Sequence, residues 1–145
     1  MSATISYARD IVAWAAEQAR LIREQRFDEL DLEHIADEIE DVGKSEQREL
    51  ASRMAVLITH LLKWYYQPAL RSSSWEGSIR EQRKRIGFAL SRTPSLKVSL
   101  DDPEWLNDAW SDGLIKALSE TGLGDLPEEP IWTTEEMLKP GWLPN

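Results

Sequence analysis

Cysteine is absent from this sequence. Without a thiol there is no disulfide framework, no thiolate zinc or iron–sulfur site and no cysteine nucleophile. No apolar run approaches the roughly 20 residues needed to span a bilayer, and Met1 to Arg9 lacks the basic-then-apolar layout of a signal peptide. The expected setting is therefore the cytoplasm, with no membrane partner. Bases are scarce too: 17 Lys and Arg against 26 Asp and Glu leave a net charge of −9. That balance disfavours a general binder of nucleic acid, whose phosphates need clustered cations. Gly-rich phosphate loops, dinucleotide fingerprints and nucleophile–base arrangements are missing. Ser72, Ser73, Ser74 and Ser78 read as turn and capping residues. Phenylalanine and tyrosine number only two and three.

Tryptophan, by contrast, occurs seven times. Such a count implies large buried surfaces, or interfaces, whose indole N–H groups find partners. With 145 residues, 41% apolar and 30% charged, the chain is long enough to bury a core and too apolar to be wholly disordered. Charge is unevenly spread. Residues 71–92 hold six bases (Arg71, Arg80, Arg83, Lys84, Arg85, Arg92) and two acids, whereas residues 101–145 hold eleven acids and two bases. An anionic partner would meet the basic segment, which also carries Trp75. The plainer expectation is that acidic neighbours within the chain neutralise it.

Period-three-and-four patterning dominates. Tyr7, Ile11, Trp14, Ala15, Gln18, Leu21 and Ile22 mark a first helix ending near Arg26, and Asp31 is a plausible N-cap for the next. A second runs from Leu32 to about Tyr66, stopped by Pro68. It is expected to bend at Gly43, or to be two nearly collinear pieces with Ser45 opening the second. Ser73 with Glu76 suggests a capping box for a third helix carrying Ile79, Arg83, Ile86 and Leu90. Thr93-Pro94-Ser95 opens a short turn, and Asp102-Pro103 starts a helix that Gly122 closes. Thr133 and Glu136 offer another capping box in a tail rich in proline and glycine. The expectation is one all-α domain over 1–145: a compact bundle of four to six helices over 1–122, with an irregular tail, 123–145, packed on it.

With one phase carried across Gly43, the helical wheel places Glu46, Glu49, Arg53 and His60 among Ile35, Val42 and Leu57 near the centre of the apolar stripe. Glu38 lies at its edge. Charged groups facing a core are costly unless paired. They therefore suggest a salt-bridge network reaching neighbours such as Arg83, exposure through a bend at Gly43, or a polar pocket between helices. The pocket candidates are Glu38, Glu46, Glu49, Arg53, His60, Trp75 and Arg83. No cofactor is expected. The nearest thing to a metal set is His34 and Glu38, four residues apart, with His60 joining if the segment folds back.

Several blocks are distinctive together: EIEDVGKSEQREL (Glu38 to Leu50), HLLKWYYQP (His60 to Pro68), RSSSW (Arg71 to Trp75), IREQR (Ile79 to Arg83), PSL (Pro94 to Leu96), ETGL (Glu120 to Leu123) and PEEPIWTTEEML (Pro127 to Leu138). With the opening from Tyr7 to Asp41, they make the chain resemble the bacterial domain-of-unknown-function family 29 along nearly its whole length. The resemblance implies a compact helical protein without an established activity. Family members often have a cysteine where this chain has Pro130. The matching polar and aromatic positions are Glu38, Glu46, His60, Lys63, Gln67, Arg71, Trp75, Gln82 and Arg83. From all this the leading expectation is a non-enzymatic helical module that binds another protein or itself. The alternatives are an enzyme or ligand binder using Glu38, Glu46, His60 and Arg83, and nucleic-acid binding through residues 71–92.

Overall fold

The computed structural model describes residues 5–145 and is all-helical, with no strand among them. Six α-helices follow in order: α1 (Ile11–Arg23), α2 (Leu32–Tyr66), α3 (Ser73–Arg92), α4 (Lys97–Leu100), α5 (Pro103–Thr121) and α6 (Thr134–Leu138). Short 3-10 turns at Phe27–Glu29, Pro68–Leu70 and Pro94–Leu96 link them. No helix is long and apolar enough to cross a membrane among the described residues. The chain divides into two units, Met1–Ser45 and Glu46–Asn145. This boundary falls inside α2.

Helix α2 is a single α-helix through Gly43 and Ser45, so the two-piece alternative does not hold. The buried residues of its later part are Leu50, Met54, Leu57, Ile58, Leu61 and Leu62. Ile39 and Val42, counted into the same stripe by sequence, are each 67% exposed. At ~100° per residue the two apolar sets are offset by about 100° on the wheel. Merging them into one phase placed the polar residues at the centre of a stripe that does not exist.

In the first unit, Asp10 caps α1 by accepting from Ala13 N at 3.0 Å. The buried side chains of α1 are Trp14, Gln18 and Leu21, on one face. The helix ends three residues before the expected Arg26, and Gln25 follows in the left-handed region at φ 60°. The rest of the unit is held by polar bonds. Asp31 Oδ2 accepts from Trp14 Nε1 at 3.0 Å, and Gln18 Oε1 accepts from the Asp31 amide at 2.8 Å.

The second unit has a continuous apolar core that includes Leu50, Met54, Leu57, Ile58, Leu61, Ile79, Ile86 and Trp110. Each such side chain contributes roughly 1.5–3 kcal/mol by leaving water. Helices α2 and α5 approach closely at Gly113, where a Cβ would stand 2.8 Å from the Ala55 carbonyl oxygen. There the buried Thr59 hydroxyl lies 2.9 Å from both the Gly113 and Ala55 carbonyls, the two acceptors sharing its proton. Helix α3 is capped by Ser72, one residue before the expected Ser73, and Glu76 makes no capping box. The Asp102-Pro103 start, the left-handed Gly122 and the Thr133–Glu136 capping box are as expected.

The C-terminal segment packs on this unit. Leu126, Met137 and Pro144 are buried. Trp110 donates to the Pro127 carbonyl at 2.9 Å, and Trp132 stands edge-on to Tyr65, Trp110 and Trp142.

Candidate functional site

The polar residues singled out by sequence each have a local partner or face solvent. Among the described residues, no hydrogen bond or ion pair joins any two of Glu38, Glu46, His60 and Arg83. Glu38 accepts from the Tyr7 hydroxyl in the first unit. That bond pushes the Tyr7 phenol up to about 12. Glu46 and Glu49 are exposed, and Arg53 pairs with Glu49 one turn back at 2.8 Å. His60 donates Nδ1–H to the Val56 carbonyl at 2.9 Å along its own helix. Trp75 lies under the Lys63 ammonium, 5.0 Å from the ring centre, and Lys63 also reaches Glu120 at 3.0 Å. No buried salt-bridge network joins these groups among the described residues, because most of them lie off the buried face of α2.

The metal set fares no better. No group of three or more His, Asp or Glu among the described residues could hold an ion. His34 is engaged with Asp31 at 2.7 Å and stacks on Tyr7 at 4.2 Å, while unbroken α2 does not fold back at Gly43. The Asp31 carboxylate raises the His34 pKa, and the same bond lowers that of Asp31.

Arg71 and Arg83 act otherwise than charge pairing would require. Arg71 Nε donates to the Trp64 carbonyl at 2.8 Å, with its guanidinium 5.0 Å from the Trp64 ring centre. Arg83 donates from Nε to the Met137 carbonyl at 2.8 Å and from Nη2 to the Trp142 carbonyl at 2.6 Å. Two main-chain acceptors on the C-terminal segment thus fix that segment against α3. Burial lowers the Arg83 pKa. No carboxylate lies within ion-pair distance of this guanidinium among the described residues.

Beside Arg83 opens a groove of about 510 Å³. Helix α3 contributes Glu76, Ile79, Arg80, Lys84 and Gly87, and the C-terminal segment contributes Leu138, Pro140, Gly141 and Leu143. The three cations at positions 80, 83 and 84 fall on one helix face because residues three and four apart are neighbours. Arg80 has only the exposed Glu76 at 3.8 Å, and Lys84 has no carboxylate within ion-pair distance among the described residues. Intramolecular neutralisation by the acidic flanks, expected from sequence, does not occur here. The ion pairs of α3 are Arg80–Glu76 and Arg85–Glu81, both within the helix. The result is an apolar concavity lined by three cations and one carboxylate on a chain of net charge −9.

The family model described as "Domain of unknown function DUF29" matches residues 6–143. The chain belongs to this family. No curated protein and no solved structure matches it. For this DUF29 member the sequence reasoning found Arg83 and the basic character of residues 71–92. It missed Leu138, Pro140, Gly141 and Leu143, which have no helical period. The one signal that pointed their way was the apolar content of the tail, with its closing Trp142-Leu143.

Proposed function

We propose that this protein is a helical binding module without catalysis of its own, and that the groove between α3 and the C-terminal segment receives an acidic amphipathic helix of a protein partner. A single observation carries the reading. Arg80, Arg83 and Lys84 rim a concave apolar surface whose one lining carboxylate, Glu76, pairs with Arg80 at 3.8 Å and leaves Arg83 and Lys84 without an ion-pair partner among the described residues. Helix-in-groove recognition uses apolar anchors spaced along one helical face. A cationic rim adds specificity and association rate toward acidic sequences more than it adds affinity. A bacterial cytoplasmic setting belongs to the same proposal, supported by the family resemblance.

Fluorescence anisotropy with a labelled acidic amphipathic helical peptide tests it. Binding should weaken with added salt and fall by about tenfold or more in R80E/K84E, the effect of reversing two rim charges at ~1 kcal/mol or more each. A peptide that binds equally well to both proteins would sink the proposal. So would tighter binding of DNA or RNA than of the peptide at low salt, because the cations would then serve phosphates.

A further inference from the structure

The first unit exposes more apolar surface than its size warrants. Among the described residues, seven of the twelve large exposed hydrophobic side chains, Ile11, Val12, Ile22, Phe27, Leu32, Ile39 and Val42, lie in this unit. Three of them form a row on α2. Leu32, Ile39 and Val42 are each 67% exposed and fall within about 80° of one another on the helical wheel. Their spacing of seven and three residues is that of a helix seam made to be covered by another surface.

Charge selects what covers it. From Leu32 to Val42 the helix carries Glu33, Asp37, Glu38, Glu40 and Asp41 and no Lys or Arg. Glu33 and Glu40, seven residues apart, share one line of the helix beyond the Leu32 edge of the row, at about 80–100° from Leu32 and about 160–180° from Val42. A second copy of the same row would bring carboxylate against carboxylate, which is unfavourable. The groove has the complementary character, an apolar floor of Ile79, Leu138 and Leu143 under Arg80 and Lys84.

We infer that the Leu32–Val42 face of one copy docks into the groove of a second copy, with Glu33 and Glu40 meeting Arg80 and Lys84. This rests on the groove being a docking site for acidic helices and names the helix. A reciprocal pair would close as a two-fold dimer, and a one-way contact would continue head to tail.

Light scattering on the full chain, across concentration and salt, tests it with paired charge reversals. Wild type should self-associate at low salt and dissociate at high salt. R80E/K84E and E33K/E40K should each be monomeric alone with unchanged helical circular dichroism. Mixing the two should restore association, because the reversed row of one variant then meets the reversed groove of the other, and the unreversed row meets the unreversed groove. I39S/V42S, which keeps every charge, should also lose association, by about tenfold or more. A wild type that stays monomeric at millimolar concentration and low salt overturns the inference. So does association that R80E/K84E leaves intact, or a mixture that stays monomeric. If the chain is monomeric yet R80E/K84E still abolishes binding of the acidic peptide, the groove stands and only self-pairing falls.

Discussion

The two units solve the same problem by different means. Glu46–Asn145 is held by buried apolar side chains contributed by four helices and the tail, with Trp110, Met54 and Leu57 fully enclosed. Met1–Ser45 buries only Trp14 and Leu21 among its described apolar side chains and relies on Asp31, which takes bonds from Trp14 and His34. Apolar burial is non-directional and sums to a large term. A net hydrogen bond contributes only about 0.5–1.5 kcal/mol and depends on geometry. The first unit should therefore open at lower cost than the second, and its uncovered Leu32, Ile39 and Val42 are the counterpart of that thin core.

The sharpest way to break this contrast is to damage each unit where it is strongest. W110A removes the largest enclosed side chain and orphans the Pro127 carbonyl. It should cost the second unit about 3–5 kcal/mol, read from chemical denaturation. G113A comes next. Its Cβ would overlap the Ala55 carbonyl and the Ile58 side chain, so a loss of about 1–3 kcal/mol is expected. Wild-type stability for G113A would mean that α2 and α5 are not in close contact.

D31A strikes the polar side of the comparison. It removes the acceptor for Trp14 Nε1 and the His34 ring and amide. A loss of stability smaller than that of G113A is expected, confined to the first unit. Amide exchange should accelerate across α1 and leave Leu57 to Leu62 unchanged. Equal acceleration everywhere would mean that the two units unfold together.

A smaller effect follows from pH. His34 has a folded-state pKa raised above its unfolded value. Its stabilisation is therefore full below the unfolded pKa and lost as pH rises through the folded one. Asp31 is lowered, so its contribution is present above the unfolded carboxylate value and lost as pH falls through the folded one. The first unit should thus be firmest between the carboxylate and histidine ranges. NMR titration should give His34 a higher pKa than the same ring in D31N, and identical values would break the pairing. The smallest effect belongs to E46A, an exposed helix position without an ion pair among the described residues, where a change within about 0.5 kcal/mol is expected.

Local chemistry was legible in the sequence, and long-range geometry was not. Asp102-Pro103, Gly122 and the Thr133–Glu136 box are readable because each signal and its consequence lie within a few residues. The contact of Thr59 with Gly113 is not, since 54 residues separate the two and neither is unusual by itself. The phase of α2 misled because its two apolar sets serve different surroundings, so Glu46 and His60 looked central when they are peripheral. The groove was half legible. The basic character of residues 71–92 is plain in the sequence, but nothing in Leu138-Lys139-Pro140-Gly141 tells which helix it will lie against. Only the Arg83 bonds to Met137 and Trp142 reveal that.

The most direct test of the groove as the working surface is an amide NMR titration of the full chain with an acidic amphipathic helical peptide. The account predicts shifts concentrated at Ile79, Arg80, Lys84, Gly87, Leu138 and Leu143. Shifts centred instead on Glu46, Arg53 and His60, or none at saturating peptide, would contradict it.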